Sequence, residues 1–152
     1  MADSTATSRK FKFIDEAKIP YFINRLLFPN ERIAFCVKAV RDVVIVTDKR
    51  LLIMNKQYAS GKSVEYVTYM YKHIISYSIS TPGLVIDFDV DVVLHFINGD
   101  TLTLEFSKGG GLEKYIFLIY DLISGVVDNH QLKPGVLNMS ISADENNEEF
   151  FE

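Results

Sequence analysis

Short β-prone segments separated by tight polar turns dominate the middle of this chain. Val43–Val46 and Arg50–Lys56 flank a turn that begins at Asp48. An Asp suits such a turn because its side chain hydrogen-bonds nearby backbone N–H groups. A loop over residues 57–62 then leads into Ser63–Tyr69, a further run of β-prone residues. The order strand, turn, strand, loop, strand predicts a β scaffold.

Ile74–Ser80 alternates apolar and polar residues. That period of two is typical of a strand with one buried face and one solvated face. The alternation predicts that Ile75, Tyr77 and Ile79 share the apolar face, with three serines on the other.

A hairpin is predicted towards the end of the β region. Asn98 is followed by Gly99, the pair that best suits a type I′ turn. Thr101–Phe106 is then the returning strand. With Glu31–Val40 and Ile86–Phe96 as further strands, the chain is predicted to be mainly β, with about seven strands.

A helix is predicted on each side of this β region. Near the N-terminus, five apolar residues recur at helical spacing and predict a short helix: Ile19, Phe22, Ile23, Leu26 and Leu27. After a triple glycine, seven apolar residues recur at i, i+3, i+4 and i+7, as in an amphipathic helix: Leu112, Tyr115, Ile116, Ile119, Leu122, Ile123 and Val126.

These elements predict one domain over residues 14–130, between a flexible N-terminal tail (1–13) and an acidic C-terminal tail (131–152). The N-terminal residues are small and polar, and the chain after Pro134 has five acidic residues and no basic one. Four apolar residues of the C-terminal tail suit an added edge strand: Val136, Leu137, Met139 and Ile141.

Composition and charge exclude several classes of protein. The chain has 152 residues, of which 48% are hydrophobic, so it can bury a core without disulfides. Its net charge of −4 argues against nucleic-acid binding and disfavours contact with anionic membrane lipid. Cys36, the single cysteine, is expected to be a buried apolar residue. No signal peptide or membrane-spanning run is apparent, so a cytoplasmic protein is expected.

Four blocks of the sequence together resemble the bacterial pleckstrin-homology (PH) domain family. They are VRDVVIVTDKRLLIMNKQ (Val40–Gln57), GKSVEYVTYMYKHIISYSIST (Gly61–Thr81), FDVDVVLHF (Phe88–Phe96) and LEFSKG (Leu104–Gly109). Their order and spacing extend the resemblance over roughly Ile14–Val127. His95, the triple glycine at 109–111 and the acidic tail depart from the family pattern.

The resemblance implies a PH-like bent antiparallel sheet or β-barrel, closed at one end by the C-terminal helix. It also implies a non-enzymatic protein that self-assembles into a ring-type homo-oligomer and acts as a scaffold for an unknown protein partner. The alternative is a module that binds an anionic lipid headgroup or a small phosphorylated ligand.

Four basic residues near the first strands are the candidate anion-binding group: Lys38, Arg41, Lys49 and Arg50. Several cations together stabilise phosphate through charge-assisted hydrogen bonds. The connection at Arg41 and Asp42 is short and includes an acid, which favours a solvated strand face or salt bridges between subunits instead.

Two further groups are candidates for a subunit or partner interface. Asp87, Asp89 and Asp91 project from one face of a strand, either as a cation-attracting ladder, as a solvated face, or as partners for Lys or Arg of another subunit. Tyrosines are common in interfaces because the ring has an apolar body and a polar tip, and they pack in cores equally well. The candidate tyrosines are Tyr66, Tyr69 and Tyr71.

No catalytic, cofactor or metal site is predicted. His73, His95 and His130 do not lie at metal-ligand spacing from one another or from Cys36. Lys108 precedes three glycines and a helix, an arrangement that suits an anion or a simple flexible joint, but the Gly-Lys-Ser/Thr order of a phosphate-binding loop is missing.

Overall fold

A computed structural model of the protein describes residues 6–56, 63–80, 90–107 and 111–129. Within these ranges the chain forms nine β-strands, two short 3-10 helices and one α-helix. The strands are β1 (Ser8–Phe13), β2 (Asp15–Glu16), β3 (Ile33–Lys38), β4 (Asp42–Thr47), β5 (Arg50–Lys56), β6 (Val64–Met70), β7 (Ile74–Ser80), β8 (Val90–Phe96) and β9 (Thr101–Phe106). The 3-10 helices are Tyr21–Arg25 and Tyr71–His73, and the α-helix, α1, is Lys114–Val127.

The strands form two sheets. One has the order β1-β9-β8-β7, and the other has the order β2-β3-β4-β5-β6. All neighbouring strands are antiparallel except β1 and β9, which run parallel. The mainly β prediction is therefore confirmed, with two short strands at the N-terminus added to the expected seven.

The core lies between the two sheets and α1. Six side chains of the helix are buried: Tyr115, Ile116, Leu118, Ile119, Leu122 and Ile123. They join one apolar cluster with residues of both sheets, including the ring of Phe35, which stacks on Tyr115 at 4.1 Å between centroids. Burying side chains of this size contributes about 1.5–3 kcal/mol each. The amphipathic C-terminal helix is thus confirmed as the element that closes the core.

A second, smaller cluster lies on the opposite face of the β2–β6 sheet. There Ile19 and Ile23, from the segment before β3, pack against apolar residues of β3, β4 and β5: Ile33, Cys36, Ile45 and Leu52. Cys36 is buried as expected, and burial raises the pKa of its thiol. The N-terminal segment therefore acts as a cover for this sheet.

A buried ion pair fastens this cover to the turn between β4 and β5. The Arg50 Nε and Nη2 atoms donate to the two carboxylate oxygens of Glu31, each at 2.9 Å. The Thr47 hydroxyl also donates to Glu31 at 2.6 Å, and the Phe28 backbone N–H does so at 2.8 Å. Arg50 donates further to the Leu26 carbonyl, and the Phe28 ring lies 3.8 Å from its guanidinium carbon. Both carboxylate oxygens of Glu31 and the Nε and Nη2 atoms of Arg50 thus have hydrogen-bond partners, which a buried pair requires.

The N-terminal region differs from the prediction in two ways. The expectation of a flexible tail over residues 1–13 is wrong for Ser8–Phe13, which forms β1 and buries Phe11 and Phe13. Its partner β9 lies more than 90 residues away in sequence, so no local pattern shows the pairing. The predicted N-terminal helix is only the 3-10 helix Tyr21–Arg25, which Pro20 precedes and Leu26 ends.

Two local predictions in the other sheet are also corrected. In the β8–β9 turn only Gly99 has a positive φ, 94°, and its N–H donates to the Phe96 carbonyl at 2.9 Å. A type I′ turn needs a positive φ at Asn98 as well, so this turn is of another type. In β7, a register shift between Ile74 and Ser76 leaves Ile75 exposed, and Ile74 takes its place in the core.

None of the helices in the described ranges is long and apolar enough to cross a membrane.

The buried ion pair generates a stability prediction. We expect Arg50→Ala to lower the free energy of unfolding by about 3–5 kcal/mol, because it leaves the Glu31 carboxylate buried without its cation. Urea unfolding followed by circular dichroism measures the change. The matched control is Lys49→Ala, next in sequence and exposed, which should change stability by less than about 0.5 kcal/mol. Equal stability of the two variants would contradict this role for Arg50.

The same pair predicts a pH dependence. Burial alone raises the pKa of Glu31, but hydrogen bonds from Arg50, Thr47 and Phe28 outweigh it, so the pKa is lowered from 4.5. The stability that Glu31 contributes is therefore complete above pH 4.5 and is lost as the pH falls through that value towards the folded pKa. We expect Glu31→Gln to flatten the fall of unfolding free energy between pH 5 and 3, measured by urea titrations at each pH. Glu113→Gln, an exposed control, should keep the slope of the unsubstituted protein; an unchanged slope in Glu31→Gln would refute the prediction.

Candidate interaction surfaces

The four candidate anion-binding residues do not form one site. Lys38 and Arg41 are exposed at the β3–β4 connection, whereas Lys49 and Arg50 lie at the β4–β5 turn. The six residues of β4 separate these two ends by about 17 Å. Arg50 is only 5% exposed, and its Nε and Nη2 atoms are hydrogen-bonded within the chain. The structure therefore removes Arg50 from the candidate site and divides the remaining cations between two locations.

Of the acidic ladder, Asp87 and Asp89 lie outside the described residues. Asp91 is half-buried on β8, directly opposite Glu105 of β9. Like charges in that position repel each other. On the other side of β9, Lys10 and Lys12 of β1 form salt bridges with Glu105 at 2.9 and 3.5 Å. These lysines offset the repulsion within one copy of the chain.

The three candidate tyrosines have different environments. Tyr71 has no exposed surface, and its hydroxyl donates to the Thr47 carbonyl at 2.7 Å, so the interface prediction is corrected for this residue. Tyr69 is half-buried and donates to Asp100 at 2.8 Å. Burial, then Asp100, raise the pKa of Tyr69 to about 12. Tyr66 keeps part of its ring at the surface, so Tyr66 and Tyr69 remain candidates.

An apolar surface at β6 contains Tyr66 and two residues that sequence patterns did not single out as surface residues. The ring of Phe22 packs on Tyr66 with centroids 5.2 Å apart and is still 44% exposed. Val64, two residues before Tyr66 on the same face of β6, is also exposed. We call Phe22, Val64 and Tyr66 the β6 patch. Helical periodicity had placed Phe22 with the buried stripe of the N-terminal segment, and the 3-10 geometry turns it outwards instead.

A groove of about 250 Å³ lies on the other face of β6, between that strand and the β8–β9 turn. Tyr69, Phe96 and Asp100 form part of its lining, and Ile97 at its rim is 72% exposed. Asp100 joins three parts of the chain here, because it also accepts a hydrogen bond from the Thr7 backbone N–H at 2.8 Å. That bond, followed by those from Tyr69 and Asn98, lowers the pKa of Asp100 against the opposing effect of burial.

The edges of the sheets differ in how they are protected against association. The edge strand β1 has three cations, Arg9, Lys10 and Lys12, which are the usual means of blocking an edge. The edge strand β6 has one charged residue, Glu65, and β7 has none. β6 pairs with β5 through seven consecutive residues without a register shift, so its outer edge is regular as well as weakly charged. Among the strands of the described residues, β6 and β7 are therefore the edges best suited to accept another strand.

No three His, Cys, Asp or Glu side chains of the described residues are grouped so that they could hold a metal ion. His95 is exposed, and its Nδ1 lies 3.2 Å from the Thr101 hydroxyl.

Comparison with known proteins gives matches in sequence and in structure. The family described as Bacterial PH domain matches residues 5–127. An uncharacterised protein of Bacillus subtilis (strain 168), YjqA, is 33% identical over 78 residues, which cover 51% of this chain and 60% of YjqA. The chain thus matches less than two thirds of that relative's length.

Two solved structures share the fold. One is a DUF1696 family protein with a pleckstrin-homology domain from Shewanella loihica PV-4, with a TM-score of 0.59 and 26% identity over 74% of this chain and 97% of that protein. The other is a PH domain containing protein from Exiguobacterium sibiricum 255-15, with a TM-score of 0.52. At 15% identity, over 78% of this chain and 63% of that protein, the second comparison shows the fold alone.

Proposed function

The chain belongs to the bacterial PH domain family, and we propose that it is a non-enzymatic module that assembles with copies of itself and acts as a protein-interaction scaffold. PH domain proteins are generally non-catalytic modules. The observation that carries the proposal is the outer edge of β6, which is regular, weakly charged and bordered by the exposed Phe22 and the half-buried Tyr66.

An edge strand of this kind presents backbone N–H and C=O groups to any strand that approaches in register. At β6 the hydrogen-bonding edge is accompanied by the β6 patch, which adds apolar and aromatic contact area. Aromatic residues are enriched in protein interfaces, whereas charged residues are depleted at their centres. A second copy of the chain thus suits β6 both as a hydrogen-bonding strand and as an apolar contact surface.

The pairing of β6 with a different part of the next copy is a heterologous contact. Repeated through a rotation that closes, such contacts give a ring, and a ring leaves none of the participating edges open. A ring also presents the same surface several times, so a partner that binds each copy weakly binds the assembly more strongly. This is the physical basis of the proposed scaffold role.

The alternative, a module for an anionic lipid headgroup or small phosphorylated ligand, has less support. Three observations weaken it: Arg50 is held by Glu31, the remaining candidate cations are divided between two ends of β4, and Asp42 adjoins Arg41. A phosphate held by one or two exposed lysines gains little, because water and salt screen such contacts.

The assembly proposal is tested by two lysines placed on β6. Val64→Lys with Thr68→Lys puts two positive charges on exposed positions of one strand face, which opposes the approach of a second copy. We expect the unsubstituted chain to show a mass several times 17.3 kDa by light scattering with size exclusion, and the double variant to shift towards 17.3 kDa.

The matched control is Ser76→Lys with Ser80→Lys, which places the same charges at the same spacing on exposed positions of β7. It should keep the mass of the unsubstituted chain, and circular dichroism should show that both variants are folded. A mass of 17.3 kDa for the unsubstituted chain at tens of micromolar would overturn the proposal.

The ligand alternative is tested by sedimentation with vesicles of phosphatidylcholine, with and without a phosphoinositide. We expect equal and low binding to both, because the four candidate cations do not form one site. Binding that requires the phosphoinositide and is lost in Lys38→Ala with Arg41→Ala would favour the alternative. Lys49→Ala, at the other end of β4, is the control for that pair.

A further inference from the structure

We propose that the tip of the β3–β4 hairpin (residues 39–41) of one copy inserts into the groove between β6 and the β8–β9 turn of the next copy. In this contact Val40 is seated in the groove and Arg41 pairs with Asp100. The contact rests on the proposed self-assembly, and it identifies the part of the second copy that meets β6. The exposure, charge and position of the two surfaces support it.

The β3–β4 tip presents an apolar residue beside a cation. Val40 is 85% exposed, more than any other large hydrophobic residue of the described chain. Arg41 is exposed too and, among the described residues, no acidic side chain is in salt-bridge contact with it. Asp42, the acid beside it, lies 3.9 Å from Arg9 instead. The Ala39 N–H donates to the Asp42 carbonyl at 2.8 Å, which closes the hairpin and holds the tip in place.

The groove offers apolar walls of a matching size. Its volume of about 250 Å³ is below the roughly 300–1,000 Å³ of typical small-ligand pockets, so it suits one or two side chains. Val67, Tyr69 and Met70 line it with half-buried side chains, and Ile97 at its rim is 72% exposed. Seating Val40 there removes two strongly exposed apolar side chains, its own and that of Ile97, from water.

Asp100 gives the groove its charge. Among the described residues that line the groove it is the one acid, and none is Lys or Arg. Its carboxylate oxygens accept hydrogen bonds from the Thr7 backbone N–H and from the Tyr69 hydroxyl, each at 2.8 Å, which fix the carboxylate before a partner arrives. A carboxylate has about four acceptor positions, so Asp100 can also accept from a guanidinium. The planar fork of Arg41 matches that geometry.

One copy does not fill its own groove, because the two surfaces lie at opposite ends of the five-stranded sheet. The tip precedes β4, whereas Met70 pairs with Arg50 beyond the other end of β4. The six residues of β4 separate these ends by about 17 Å. Each copy can therefore give its tip to one neighbour and its groove to another. Such a contact is heterologous and repeats from copy to copy, as a ring requires.

Disulfide formation between copies tests the contact. Val40→Cys and Ile97→Cys are prepared as two separate full chains, so that a disulfide between these positions can only join two copies. They are mixed in equal amounts at a concentration where the unsubstituted chain associates. In the matched control mixture, Phe117→Cys replaces Ile97→Cys, since Phe117 is 70% exposed but lies on α1. Cys36 is buried and is left unchanged.

We expect the first mixture to form mixed disulfide-linked dimers at least about tenfold faster than the control mixture under mild oxidation, because a disulfide needs Cα atoms within about 7 Å. Non-reducing electrophoresis measures the rate, and mass spectrometry identifies the linked peptides. Equal rates in the two mixtures, while the unsubstituted chain associates, would overturn this contact and leave self-assembly standing. An unsubstituted chain that stays monomeric would overturn both.

A double-mutant cycle tests the ion pair without introduced cysteines. Arg41→Ala should weaken association at least about tenfold, measured by light scattering over a dilution series, because it leaves Asp100 without its cation. In the Asp100→Asn background the same change should have little further effect. Asn retains an oxygen that accepts hydrogen bonds within the chain, and circular dichroism checks that the variant is folded.

Lys114→Ala removes the same charge from α1 and is the control, which should leave association unchanged. Equal losses from Arg41→Ala in the two backgrounds would overturn the pairing of Arg41 with Asp100.

Discussion

The outermost strands of a sheet have backbone hydrogen-bonding groups that their own sheet cannot satisfy, and the rest of this structure depends on how those edges are managed. Two sheets packed around one helix create several edges in a small protein. Each edge must be charged, covered or paired with another strand. The cations of β1 protect one edge of the four-stranded sheet. At the β3 side of the five-stranded sheet, the two-residue strand β2 pairs with β3. In the described part of the chain, β6 and β7 are therefore the edge strands that can pair with a further strand.

The ion pair between Glu31 and Arg50 links this arrangement to the rest of the fold. It fastens the segment that covers the outer face of the β2–β6 sheet and that also positions Phe22 against Tyr66. Arg50, a candidate for ligand binding, is thereby held in a structural ion pair. Phe22, which could have been buried, lies beside the edge strand β6. The same local packing thus weakens the ligand-binding interpretation and supports the assembly interpretation.

Most of the fold was predictable because its signals are local. β5, β7 and β9 have the predicted boundaries, and the predicted apolar stripe of α1 is buried except at Val126, which is exposed. The family resemblance is confirmed as well. β1 was not predicted, since its pairing with β9 joins distant parts of the chain and its lysines mask two buried phenylalanines. The 3-10 geometry around Phe22 was likewise hidden, because the spacing of apolar residues there also fits a short α-helix.

The candidate sites were less predictable, because a residue type does not show its partner. Arg50 appeared in sequence as one of several cations, and its neutralisation depends on Glu31, 19 residues earlier. Tyr71 was grouped with Tyr66 and Tyr69 by proximity in sequence, although the 3-10 turn at Tyr71–His73 directs its ring into the core. Self-assembly remains a proposal, supported by the regular edge of β6 and by the aromatic patch beside it.

Hydrogen exchange of the full chain at two protein concentrations, spanning the range in which it associates, tests this account of the edges most directly. The account predicts that protection of β6 amides rises with concentration, because a second copy covers that edge. Amides of β9, a central strand, provide the internal reference. Exchange at β6 that is fast and independent of concentration, while the mass in solution rises, would contradict the claim that this edge is where copies of the chain meet.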